Sequence, residues 1–267
     1  MRILVVNPNT TASMTASIGA CAARVTTAEV VAVQPAMGPA SIESHYDEAL
    51  AVPGLLQEIE RGERGGAQGT VIACFGDPGL DAAREIAAGP VVGIAEAAMH
   101  VATLLGRTFG IVTTLSRTIG TAHDLVERYG FAGRCVAIRA CDIPVLELDV
   151  PGSAARAVVT ELCRKVVEEE GADSVVLGCA GMADFCDEVS AEIGVPVIDG
   201  VAAAVKLVES LVALGLTTSR RDEFAAPPAK AYSGALQGFA RPPGREPVGS
   251  SPGLGRAPAL SGGAASI

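Results

Sequence analysis

The chain has 267 residues, 49% hydrophobic and 19% charged, which is enough apolar material for one or two small domains with a substantial core. A net charge of −10, with no stripe of Lys or Arg along any segment, argues against a phosphate backbone as partner, so nucleic acid is not expected. Aromatic residues make up 3% and tryptophan is absent, which disfavours base-stacking platforms and aromatic cages.

The N-terminus offers an apolar run only from Ile3 to Val6 before Asn7-Pro8-Asn9, too short for a signal peptide or a membrane span. The longest apolar stretch, Val91 to Leu105, is broken by Glu96 and His100, so no membrane is expected as partner. Seven cysteines form no dense framework and read as reduced thiols in a cytoplasmic protein.

Along the chain, short β-branched runs alternate with longer amphipathic stretches, the pattern of βαβ units and a parallel sheet. Strands are expected at Ile3–Asn7, Val30–Gln34, Thr70–Cys74 and Val91–Ile94 in the first half. In the second half they fall at Phe109–Thr113, Cys135–Arg139, Ser174–Gly178 and Val195–Ile198. Helices are expected at Thr11–Arg24, Ser44–Arg61, Pro78–Ala87, Glu96–Leu105, Arg117–Tyr129, Ala154–Glu170, Ala183–Ile193 and Gly200–Leu214. Asp77-Pro78 reads as an N-cap with proline at the first helical position, and Ser116 as the cap of the helix opening at Arg117. From Ser219 the composition turns rich in Pro, Gly, Ser and Ala, so residues 219–267 are expected as a tail, disordered over Arg241–Ile267.

The two halves match. Arg2-Ile3-Leu4-Val5-Val6-Asn7 opens one as Phe109-Gly110-Ile111-Val112-Thr113-Thr114 opens the other, and Cys74 and Cys179 end corresponding buried strands. Two thiols related by an approximate two-fold would face each other across the cleft between the halves. That arrangement suits removing a proton from one face of a carbon and returning it on the other.

A thiol's free pKa of about 8.5 is near neutrality and falls beside a helix N-terminus, so the helix after Asp77 is expected to favour the Cys74 thiolate. After Cys179, the small pair Ala180-Gly181 lets a substrate or backbone amide approach. The bland alternative is that both are small buried hydrophobes. Placement at a strand end with a duplicated counterpart favours function, whereas Cys21, Cys135, Cys141, Cys163 and Cys186 lack it and read as packing residues. Asn7-Pro8-Asn9-Thr10-Thr11 and Thr113-Thr114-Leu115-Ser116 serve equally as polar binding loops and as turns and caps. His45 and Tyr46 are weaker candidates for the cleft.

His45, His100 and His123 have no metal-ligand spacing, and no Cys-x-x-Cys occurs, so no metal is expected. The glycines from Gly62 to Gly69 precede a strand and lack dinucleotide-loop spacing, and none of Lys165, Lys206 and Lys230 ends a strand to anchor pyridoxal phosphate. No cofactor is expected.

At Cys74 and Cys179 the chain resembles the aspartate/glutamate/hydantoin racemase superfamily, in its hydantoin and allantoin racemase branch. The matching segments are Asn7-Pro8-Asn9-Thr10, Pro39 to Ala49, Ala73-Cys74-Phe75-Gly76-Asp77-Pro78-Gly79-Leu80, Val112 to Arg117, and Gly178-Cys179-Ala180-Gly181-Met182. The resemblance implies two flavodoxin-like α/β domains with parallel four-stranded sheets, related by a pseudo-two-fold, with the active site in the cleft between them. Residues 1–98 with 199–218 would form the first domain and 99–198 the second, with crossovers near Glu96 and Asp199. It further implies cofactor-independent racemisation by Cys74 and Cys179. Asn9, Ile42, Phe75, Gly76, Thr113, Thr114, Ala180 and Gly181 would lie along the substrate site.

Amino-acid racemases of this group resemble one another in a Gly-Cys-Thr-His segment at the second thiol. Gly178-Cys179-Ala180-Gly181 stands there instead, which favours a neutral ring, a 5-substituted hydantoin or allantoin, over a zwitterion. Related decarboxylases keep one of the two cysteines. The alternatives are an amino-acid racemase, isomerase or decarboxylase on the same scaffold, or a two-lobed binding protein with inert thiols. The oligomeric state is open, with a homo-oligomer among the options.

Overall fold

The computed structural model describes residues 1–148 and 154–241, with the side chains of 183–185 outside that description. β1 (Arg2–Val6), β2 (Glu29–Val33), β3 (Gly69–Ile72) and β4 (Val91–Gly93) form one parallel sheet in the order β2-β1-β3-β4. β5 (Phe109–Thr113), β6 (Cys135–Ala140), β7 (Val175–Gly178) and β8 (Val197–Ile198) form a second in the order β6-β5-β7-β8. One order used twice is the duplication made visible. Val6 pairs with Ile72 and Thr113 with Gly178, so both cysteines leave their sheets at the carboxyl edge, beside the end of the opening strand. Loops and helix N-termini converge at that edge of a parallel sheet.

Each strand leads into a helix: α1 (Ala12–Arg24), α2 (His45–Arg64), α3 (Leu80–Ile86), α4 (Ile94–Leu105), α5 (Ile119–Arg128), α6 (Ala155–Glu168), α7 (Cys186–Ile193) and α8 (Gly200–Ala213). The central strands are apolar on both faces because helices cover both. Ile3 and Val5 point into one core with Val71, while Leu4 and Val6 point into another with Leu55, Ile59 and Leu80. α4 and α8 lie between the sheets. Ala95, Ala97, Ala98, Met99 and Ala102 of α4 join a core with Ile3 and Val5 of the first sheet and Phe109, Ile111 and Val176 of the second, so α4 is apolar nearly all round. The two helices meet closely at their starts, where a Cβ on Gly200 would sit 2.8 Å from the Ile94 carbonyl oxygen.

α2 opens on a reciprocal cap. Ser44 Oγ accepts from the Asp47 N–H at 3.2 Å, while the Asp47 carboxylate accepts from Ser44 Oγ at 2.7 Å and from the Glu43 N–H at 3.2 Å. The helix runs on to Arg64, past the expected end at Arg61, because Gly62 lets it cross tightly over β1: a Cβ there would be 2.4 Å from Leu4 Cδ2.

Two expected caps sit elsewhere. α3 begins at Leu80 behind Gly79, which is left-handed at φ 64, rather than at Pro78. Asp77, itself at φ 44, instead turns its carboxylate onto the first turn of α4, where Oδ1 accepts from the Ala95 N–H at 3.0 Å and Oδ2 from the Glu96 N–H at 2.9 Å. Ser116 enters a 3-10 turn (Ser116–Thr118) ahead of α5, and its N–H and Oγ donate to the Asp142 carboxylate at 2.7 and 2.9 Å instead of capping.

In the stretch expected as the start of the tail, 3-10 turns occupy Asp222–Phe224 and Gly234–Phe239. Arg220 donates to the carbonyls of Arg84, Glu85 and Ala87, and Arg241 pairs with Glu60. Residues 242–267 of that expectation lie outside the described residues. Among the described residues, no helix is long and apolar enough to cross a membrane.

Candidate active site

A cleft of about 920 Å³, counting its open mouth, lies between the carboxyl edges of the two sheets. The first sheet and its loops supply Asn9, Met14, Ile42, Glu43, Ser44, His45, Glu48 and the run Ala73 to Gly76. The second supplies Thr113, Thr114, Arg117, Thr118, Thr121, Ala122, Val145 and the run Gly178 to Ala180. Both cysteines and, of the residues expected along the substrate site, all but Gly181 therefore line the cleft. That glycine backs onto Cys179: a Cβ there would be 3.6 Å from Cys179 Sγ and 3.7 Å from Leu148 Cδ1. His45 lines the cleft, whereas Tyr46 turns outward and is 73% exposed. Cys21, Cys135, Cys141, Cys163 and Cys186 lie off the cleft, and no cysteine is in a disulfide.

The asparagine loop is built before any ligand arrives. Asn7, 1% exposed, donates from Nδ2 to Asn9 Oδ1 at 2.8 Å and to Thr15 Oγ1 at 3.0 Å. Asn9 Oδ1 also accepts from the Thr11 N–H at 2.9 Å. The Asn9 oxygen is thus committed, and its Nδ2 group lies 3.2 Å from Met14 Sδ, a weak acceptor. The Thr10 N–H and Thr11 Oγ1 donate to the carbonyls of Pro39 and Ala40 at 2.9 and 2.7 Å, which fixes the next loop and so places Ile42 to His45.

Thr113 plays a different part. Its Oγ1 lies 3.0 Å from Thr118 Oγ1 and 3.5 Å from the Gly178 carbonyl oxygen, so its hydroxyl is already engaged. Gly178 permits this, since a Cβ there would be 3.0 Å from the Thr113 Cβ.

Cys74 departs from expectation in its acidity. The Gly76 N–H, not the start of α3, is the group that favours its thiolate, and burial outweighs it. Neighbouring Cys179, Asp77 and Glu48 add to the rise, and the thiol is pushed up to about 12. The contribution of Cys179 is one of like charges: a negative charge on one sulfur opposes ionisation of the other.

Hydrogen bonds also join the two halves. The Val145 N–H donates to Glu43 Oε1 at 2.9 Å, and Tyr129 Oη donates to Asp77 Oδ2 at 2.7 Å. Burial pushes the Asp77 carboxyl up to about 6, against the opposing pull of the Tyr129 hydroxyl and the Glu96 and Ala95 N–H groups. Gly93 makes room for it, since a Cβ there would lie 2.2 Å from the Asp77 carboxyl.

Reading the sequence missed Met14, Glu48, Arg117, Thr121 and Val145 on the cleft wall. Met14 and Glu48 each lie within the first turn of a helix that follows a binding-loop segment, a position that could have found them. Val145 has no such local mark.

The profile of the family described as Asp/Glu/Hydantoin racemase matches residues 3–208. The chain is 46% identical over 241 residues to a hydantoin racemase from a Pseudomonas species, covering 90% of this chain and 97% of that protein. It is similar to the solved structure of an allantoin racemase from Klebsiella pneumoniae, with a TM-score of 0.88 and 52% identity over 90% of this chain and 99% of that one. An allantoin racemase from Pseudomonas fluorescens gives a TM-score of 0.81 and 37% identity over 88% and 100% of the two chains.

Proposed function

Because the chain belongs to the aspartate/glutamate/hydantoin racemase family, we propose that it is a cofactor-independent racemase inverting C5 of hydantoin-type rings, 5-substituted hydantoins or allantoin, by proton transfer between Cys74 and Cys179. One observation carries this reading: two thiols, one from each half and each following the equivalent strand of its sheet, line a single cleft. The relatives named hydantoin racemase and allantoin racemase support the substrate class.

The chemistry follows from the coupling. When one of two neighbouring thiols is ionised, its charge holds the other protonated, which gives one base and one acid. The thiolate takes the C5 proton, the electron pair moves onto the neighbouring carbonyl oxygen, and the thiol delivers its proton to the opposite face. The charge then rests on the other sulfur, ready for the substrate of opposite hand. Burial, which pushes the Cys74 thiol up to about 12, favours its protonated form and suits it to the acid's part in one direction. Substrate seated beside it excludes water, and the Asn9 NH₂ on the cleft wall is a donor for the developing oxyanion. Reduced thiols suit a reducing compartment such as the cytoplasm.

The test is polarimetry on single enantiomers of allantoin, alkyl and aryl hydantoins, with CO₂ release followed in parallel. Loss of rotation without CO₂ is expected from the wild type, and no loss from Cys74→Ala or Cys179→Ala. Wild-type rates in both variants would end the two-thiol scheme, and action on free amino acids alone would end the substrate assignment.

A further inference from the structure

Glu48 stands out within the cleft. It lies in the first turn of α2 and shares the wall that carries Cys74. A point one carbon out from Gly76 is 3.7 Å from Glu48 Oε1 and 4.0 Å from Cys74 Sγ, so carboxylate and thiol flank the same glycine. The side chain is 29% exposed, and its near cation, His45, stops at 3.9 Å on an 81% exposed side chain. Among the described residues no hydrogen-bond donor lies within reach of its oxygens, whereas Oδ2 of the adjacent Asp47 accepts from Ser44 Oγ and the Glu43 N–H. Burial pushes the Glu48 carboxyl up, with His45 pulling it down. Its oxygens face the cleft and are not sealed from water, so a ligand N–H that displaces that water would supply the donor in its place.

Its surroundings complete a pattern. Asn9, on the same side of the cleft, offers an NH₂ donor with its oxygen already committed. A hydantoin ring alternates C=O and N–H, and N1–H is the donor attached to C5, the carbon that must reach Cys74. An acceptor beside that thiol meets N1–H before it meets N3–H.

Resting on the racemase reading above, we propose that Glu48 accepts a hydrogen bond from the substrate's ring N1–H and thereby selects cyclic ureides that carry a hydrogen there. The bond orients C5 toward Cys74 and moves no proton of its own.

Two readouts test it, racemisation kinetics and protection of Cys74 from alkylation by a bound hydantoin, in wild type, Glu48→Ala and Glu48→Gln. Glu48→Ala is expected to lower kcat/KM on a 5-alkyl hydantoin roughly tenfold or more, mainly through KM, and to weaken protection by a similar factor. Glu48→Gln keeps an accepting oxygen and is expected to recover most of both. An N1-methyl hydantoin is a poor substrate for the wild type and loses little further in Glu48→Ala, whereas an N3-methyl hydantoin behaves like the parent. Equal losses on parent and N1-methyl rings, or no rescue by glutamine, would overturn the assignment. Protection that is equal in wild type and Glu48→Ala overturns it alone, while an absence of protection in the wild type overturns it together with the racemase reading.

Discussion

The two halves carry the same sheet and differ at the rim. On the first side Cys74 enters a turn whose Asp77 leaves its own helix to cap α4 and accept from Tyr129 of the other half. On the second side Cys179 runs straight into a 3-10 turn (Ala180–Phe185), held by the Met182 N–H on the Cys179 carbonyl at 3.1 Å. The loops beside the thiols differ too: two interlocked asparagine amides on one side, two threonine hydroxyls on the other. Duplication preserved the scaffold because a buried parallel sheet tolerates little change in spacing. The rims diverged because loops carry specificity at small cost to the core. A chiral substrate meets two unlike walls.

The largest effects should come from exchanging sulfur for oxygen. Cys74→Ser and Cys179→Ser should each lower racemisation about 10²- to 10⁴-fold. In D₂O each should retain C5 exchange with one enantiomer, opposite in the two variants, as read by NMR; loss of exchange with the same hand in both would break the comparison. Next, Gly93→Ala forces the Asp77 carboxyl off α4 and should destabilise the fold by roughly 3 kcal/mol or more in urea unfolding.

Asp77 also sets a pH dependence. Its carboxyl at about 6, against an ordinary 3.8, keeps its proton in the folded protein where the unfolded chain has lost it. Its contribution is present below about pH 4 and is lost as pH rises to about 6. The stability of wild type relative to Asp77→Asn, which tolerates the same left-handed backbone, should fall across that window by up to about 3 kcal/mol and stay flat above it. A rise over the same range would contradict the burial of that group. Last, Tyr129→Phe should cost about 1.5–3 kcal/mol, because it strips a donor from a buried carboxyl, whereas Thr113→Val on the other rim should cost about 1 kcal/mol. Calorimetry on the pair reads the asymmetry directly.

Most of the fold was legible. Strands buried on both faces announce themselves as β-branched runs, and each expected strand overlaps an observed one. The helix ends were less so. α2 overran its expected end at Arg61 because the packing of the helix on Leu4 needs a glycine at position 62, within the helix. Asp77-Pro78 has the composition of a cap, yet the carboxylate found better donors at Ala95 and Glu96, eighteen residues or more along the chain. Local composition reports which groups seek partners without saying where those partners lie.

The sequence by itself determined the alternation of strand and helix, the doubled four-strand unit and the two thiols at its matching ends, since each depends on residue periodicity and spacing. Tertiary structure decided that both thiols reach one cleft, that burial favours the protonated form of Cys74, and that Met14, Glu48, Arg117 and Val145 complete the walls. Those outcomes depend on burial and on contacts between segments far apart in the chain. Desolvation and cross-lobe hydrogen bonds exist only once the two sheets have closed around α4 and α8.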